Sequence, residues 1–131
     1  MPVVKVYGLP SKLANDNEGK FVLTALIVKI REAVAGVKEL GIDDDQVSVF
    51  CIPSFGGVEL GEEIIVEITG LFKKPERTHG VLQRVAEAVA GVVRDRISPI
   101  LPRFRMVEVF LFPFDTEANG FAAWNKPEET D

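Results

Sequence analysis

Three short strings occur twice in this chain, in the same order. VVKVYGLPSK at 3–12 matches IVEITGLFKK at 65–74: an alternating stretch, then Gly-Leu, two residues and Lys. EAVAGV at 32–37 returns letter for letter at 87–92, and VSVFCIP at 47–53 has its counterpart in VEVFLFP at 107–113. Repeats in a fixed order constrain a fold more than composition does, because each copy must adopt the same supersecondary unit. The unit here reads strand–helix–strand. The chain of 131 residues is therefore expected to be one domain, with a first repeat over about 2–55, a second over about 62–115 and a tail at 116–131.

The periodicities define the elements. Alternation predicts strands at roughly 3–9, 46–52, 63–70 and 104–112. A helix is expected from about Asn17 to Leu40, opened by a capping-box-like Asn15–Glu18 pair and stopped by Gly41. A second is expected from Pro75 to about Arg96, with SPILP at 98–102 breaking it. A Gly-rich turn at 56–61 joins the halves. The fold class is α+β in two layers: a duplicated βαβ unit giving a four-stranded mixed sheet with two helices on one face. The order βαββαβ equally describes a ferredoxin-like domain.

The strands carry two unlike faces. Val4, Val6, Val47, Val49, Val66, Ile68, Val107 and Val109 suit packing on helices. Lys5, Tyr7, Ser48, Phe50, Glu67, Thr69, Glu108 and Phe110 mix charge with aromatic rings. Such a face suits contact with further copies of the chain. Lys5 and Glu67 hold equivalent places in the two repeats and are positioned to pair across their junction. The mean hydropathy of +0.16 also points to self-association, since extra apolar surface tends to be covered in an oligomer.

Charge and cysteine content narrow the partners. A net charge of −5 with no basic stripe argues against nucleic acid. The longest apolar run, FVLTALIV at 21–28, is far shorter than the ~20 residues that span a bilayer, so no membrane partner is expected. Cys51 is the single cysteine and reads as a small buried hydrophobe, which fits a cytoplasmic setting. His79 has no second histidine beside it and reads as a surface residue. Lys74 and Arg77 flank it and offer an anion site at the helix start, with a solvated face as the plainer reading. Asp43–Asp45 lack the spacing of a calcium loop and read as a solvated turn. PSFGGV lacks the Gly-Lys-Ser/Thr ending of a phosphate loop.

Four features converge on a known family. Pro2 stands directly before the first strand, and each repeat closes its first strand with Gly-Leu and a Lys-bearing loop. IPSFGG at 52–57 follows the second strand, and FPFDTEANGFAAWN at 112–125 forms an aromatic, small-residue tail. Over about residues 2 to 125 the chain resembles the tautomerase superfamily, most closely its long-chain branch around macrophage migration inhibitory factor.

The resemblance implies a homotrimer of duplicated βαβ units whose sheets surround a central axis. It implies an isomerase activity, keto–enol tautomerisation of a small carbonyl acid, needing no cofactor and no metal. The catalytic base would be the free N-terminal amine of Pro2 once Met1 is removed. Burial of that amine disfavours its charged form and lowers its pKa toward neutrality, where a general base works best. The substrate would be lined by Lys12, Phe50, Thr69, Phe110, Phe112 and Phe121, with Lys12 at the place of a carboxylate-binding arginine. Trp124 and Phe121 are expected either at the pocket rim or docked on a neighbour. The chain departs from the family pattern at several places. Ser48 replaces a second-strand arginine, Phe110 and Phe112 replace a tyrosine and an asparagine, and Lys38 is displaced from a lysine before the second strand. A non-enzymatic trimer of the same fold, and a ferredoxin-like ligand-binding domain, remain alternatives.

Overall fold

A computed structural model describes residues 1–52, 63–101 and 106–127. The expected turn at 56–61 and most of IPSFGG lie outside these. Four strands, β1 (Val3–Tyr7), β2 (Ser48–Ile52), β3 (Glu63–Thr69) and β4 (Met106–Leu111), and two helices, α1 (Asn17–Ala35) and α2 (His79–Ile97), follow one another as β1-α1-β2-β3-α2-β4. The sheet order is β2-β1-β3-β4. β1 runs parallel to β2, β3 parallel to β4, and β1 antiparallel to β3. Each repeat is thus one βαβ unit, and the two join along β1 and β3.

The register at that seam is informative. Lys5 pairs with Glu67, flanked by Val4–Ile68 and Val6–Val66. Lys5 and Glu67 are equivalent positions of the two repeats, so a local two-fold axis passes between them. One row then crosses the whole sheet as Phe50–Lys5–Glu67–Phe110. As the sequence predicts, the two residues stand opposite one another at the junction of the repeats.

The core lies between one sheet face and the helices. Val4, Val6, Ile64, Val66 and Ile68 are fully or almost fully buried from the sheet, with Leu26, Ile30 and Val34 from α1 and Val85, Val89, Val93 and Ile97 from α2. The four-residue spacing along each helix places these side chains on one stripe. The opposite sheet face leaves Phe50, Met106 and Phe110 exposed.

Helix ends differ from expectation for local reasons. Asp16, not Asn15, caps α1, its carboxylate accepting from the Gly19 N–H. The helix stops at Ala35, because Gly36 is a poor helix former and Val37 turns to an extended conformation. A 3-10 turn, Lys38–Leu40, follows, and it is this turn that Gly41 ends, with φ +63°. α2 begins at His79 rather than Pro75, with the Thr78 hydroxyl accepting from the Val81 N–H at 3.3 Å. Arg77 is held off the helix by two backbone acceptors, Phe72 O at 2.7 Å and Leu40 O at 3.0 Å. β1, β2 and β4 are also shorter than their alternation suggested.

Candidate active site

The chain start is seated by a glycine. Gly70, directly after β3, has φ +82°, and a Cβ there would collide with the Met1 carbonyl. Gly8, its counterpart after β1, has φ +97° and lies equally close to the Glu63 carbonyl. Antiparallel pairing explains this symmetry: the end of each repeat's first strand meets the start of the other's. The Pro2 carbonyl accepts from the Ser48 N–H at 3.1 Å, which ties the residue to β2 as well. Pro2 is buried.

Pro2 and Met1 line a cavity of about 210 Å³ together with Ile42, Gln46, Leu71, Phe72, Lys74 and Arg77, among others. The volume equals roughly seven waters at ~30 Å³ each, so it suits a small molecule. Two cationic side chains reach its wall, Lys74 and Arg77. Two of the Arg77 nitrogens are engaged by the carbonyls of Phe72 and Leu40, while its buried Nε has no hydrogen-bond partner among the described residues. Gln46 accepts from the Asp43 N–H through its side-chain oxygen at 2.9 Å, which leaves its NH₂ as a donor.

The residues singled out from the sequence distribute unevenly around this cavity. Thr69 precedes Gly70 and is opposite Val3, and the Phe112 N–H donates to Ile68 O at 3.0 Å, so both stand at the Pro2 end of the sheet. Phe50 and Phe110 occupy the middle row of the open face. The Phe110 and Phe112 rings stack at 6.4 Å with 10° between planes. Phe121 packs edge-on against Phe72 at 4.9 Å and against Phe114 at 6.1 Å, so the tail docks on its own chain, one ring behind the cavity wall. Trp124 is 79% exposed. Lys12 follows β1 and stands beyond the far end of that strand from Pro2. Five strand residues span roughly 17 Å, and Lys12 is not among the residues lining the Pro2 cavity.

Lys74, the counterpart of Lys12 in the second repeat, is the lysine beside Pro2 within the chain. The signal was present in the sequence. Two equivalent strands that pair antiparallel exchange their ends, so the lysine of one repeat accompanies the start of the other. Gln46 and Ile42 carried no such signal. Elsewhere, Cys51 is half-buried on the helix side of β2, where burial pushes its thiol pKa up, as a packing role requires. His79 is exposed, and Asp44 and Asp45 belong to a 3-10 turn leading toward β2. No group of metal-ligating side chains occurs among the described residues. No described helix is long and apolar enough to cross a membrane.

No protein-family model matches the chain, and no curated protein matches it in sequence. Solved structures do. A fused 4-OT, described as a wild-type asymmetric trimer, aligns with TM-score 0.60 at 13% identity over 91% of each chain. A macrophage migration inhibitory factor of Toxoplasma gondii aligns with TM-score 0.57 at 14% identity, over 91% of this chain and 95% of its own. A 5-carboxymethyl-2-hydroxymuconate delta-isomerase aligns with TM-score 0.54 at 14% identity, over 98% and 89%. The mixed sheet, the paired βαβ units and these alignments agree: the chain has the tautomerase-superfamily fold.

Proposed function

We propose that the chain, once Met1 is removed, is a trimeric tautomerase that moves a proton between carbon and oxygen of a small carbonyl acid. One observation carries this reading: a buried Pro2 shares a cavity of about 210 Å³ with two cationic side chains. Loss of Met1 frees a secondary amine at the cavity floor and removes a side chain from its wall. The uncharged amine takes a proton from the carbon next to the carbonyl. Lys74 and Arg77 hold the substrate carboxylate, and the Gln46 NH₂ donates to the oxygen on which the enol forms. Lys12 of a neighbouring copy adds a third cation at the subunit boundary. Phe72, braced by Phe114 and Phe121, keeps the far wall dry, which strengthens each electrostatic contact.

The expected assembly follows the open sheet face with its exposed Phe50, Met106 and Phe110. The named relatives include a trimer, which supports self-association. A non-catalytic trimer is the second reading, favoured by Phe110 and Phe112 standing exposed where the resembling enzymes carry polar groups.

The test is enol-pyruvate ketonisation by protein whose intact mass shows Met1 removed. Pro2→Ala should lower kcat at least about a hundredfold, the usual worth of a positioned acid–base group. Lys74→Gln should raise KM about tenfold or more, since a charged hydrogen bond contributes roughly 1.5–3 kcal/mol. Equal rates for wild type and Pro2→Ala would leave the non-catalytic reading standing.

A further inference from the structure

Among the described side chains lining the Pro2 cavity three carry nitrogen or oxygen: Lys74, Arg77 and Gln46. Lys74 and Arg77 only donate hydrogen bonds. Gln46 alone offers either sense, because its amide has an oxygen on one side and an NH₂ on the other. A half-turn of the amide exchanges the two with almost no change of shape. What the cavity meets is therefore decided by whatever holds the amide.

Asp43 holds it. Gln46 ends the 3-10 turn Asp44–Gln46, which Asp43 caps. The Asp43 carboxylate accepts from the Gln46 backbone N–H, and the Asp43 N–H donates to Gln46 Oε1 at 2.9 Å. Flipping the amide would set its NH₂ against that N–H, donor facing donor, and lose the bond. Arg31 steadies the same turn from α1, its Nε donating to the Asp44 carbonyl at 2.8 Å. The amide oxygen is thus spent within the turn, and the NH₂ is left for the cavity. These side chains then offer a ligand hydrogen-bond donors and no oxygen acceptor. Glutamate closes a capping box as readily as glutamine. The turn by itself does not call for an amide at this position, whereas a donor toward the cavity does.

We propose that Gln46 is a specificity-determining residue of this cavity: oriented by the Asp43 N–H, it selects a 2-oxo acid over the 2-hydroxy acid of the same carbon skeleton. The inference rests on the carbonyl-acid reading given above and adds to it a rule of discrimination. A carbonyl oxygen only accepts, and it pairs with the NH₂. A hydroxyl oxygen accepts in the same place, but its own hydrogen then meets no side-chain acceptor on the wall. That hydrogen gives up the bond it made in water and gains none in return, which lowers affinity. Two ligands of nearly equal size are told apart by the sense of one hydrogen bond.

Equilibrium binding of 2-oxobutyrate and 2-hydroxybutyrate, measured by calorimetry on protein lacking Met1, tests this. A pH of about 5.5 keeps both acids ionised and the terminal amine protonated, so that the amine is a donor too. Wild type should bind the oxo acid about fivefold or more tighter, the scale of one net neutral hydrogen bond. Gln46→Glu keeps the capping box and puts an acceptor where the donor stood. Its added charge weakens both acids alike, so the ratio of the two Kd values is the readout, and it should reverse in favour of the hydroxy acid. Gln46→Ala should bring the ratio to about one. A purely structural role for Gln46 would move the urea midpoint and leave the ratio as it is. Equal binding of the two acids by wild type, an unmoved ratio in the variants, or no binding of either acid overturns the proposal. No proton transfer enters this measurement. Equal ketonisation by wild type and Pro2→Ala refutes the tautomerase reading and leaves the ratio standing. Ketonisation that depends on Pro2 alongside an unmoved ratio refutes only the role of Gln46.

Discussion

At the residue scale the two positive-φ glycines after β1 and β3 do unequal work from the φ at Gly41. Gly41 has φ +63° with open space where a Cβ would go, so only the backbone conformation is at stake. Gly70 adds a collision with the Met1 carbonyl. Gly41→Ala should cost about 1 kcal/mol, the usual penalty of a left-handed L-residue. In protein that retains Met1, Gly70→Ala should cost more, of the order of 2–3 kcal/mol, because the Met1–Pro2 segment must also shift. Urea midpoints of the two variants give the comparison, and equal losses would remove the seating role of Gly70. Glu108 yields a second test. Its raised pKa means the native state holds the proton more tightly than the unfolded chain does. The associated stability is present at low pH and is lost as pH rises through the raised value. Glu108→Gln should therefore raise the Tm at pH 7, with the gain shrinking in acid below the ordinary carboxylate range. Single residues were the least legible level of the sequence. Pro2 and the two Gly-Leu motifs stood out, but Gln46 and Ile42 reach the cavity only through the 3-10 turns between α1 and β2, and no pattern announces those.

Among the elements, identity was readable and boundaries were not. The helices followed from their apolar stripes and the strands from alternation. Their ends answer to contacts between elements: Arg77 is pulled to Leu40 and Phe72, so α2 starts only at His79, capped by Thr78. A capping expectation is correspondingly sharp. Asp16→Ala should destabilise the protein by about 1 kcal/mol, whereas Asn15→Ala should change little. Thermal unfolding of both variants decides which residue is the cap. Gly41, expected to stop α1, instead ends a short 3-10 turn, because Gly36 has already ended the helix.

For the whole molecule, the duplication conveyed most of the architecture. Once Lys5 and Glu67 are paired, the antiparallel seam, the strand order and the exchange of strand ends follow together. Ile68 sits next to the central pair of that seam, opposite Val4, and is fully buried in the core. Ile68→Ala should cost about 2–5 kcal/mol. A single unfolding transition in the variant, seen alike by far-UV and near-UV circular dichroism, is the expected result if both repeats share one core. The duplication gives the likeness two candidate lysines: the family pattern points to Lys12 of the first repeat, and the topology sets Lys74 of the second beside Pro2 in the same chain.

Gly8 and Gly70 hold the Glu63 and Met1 carbonyls in the same way, so the fold contains two matching berths for a chain terminus. One is occupied by an end and the other by chain passing through. A circular permutant opened ahead of Ile64, with proline planted there, would move the prolyl terminus to the opposite end of the sheet. The polarity of the molecule is therefore a matter of where its backbone is cut, not of the shape into which it folds.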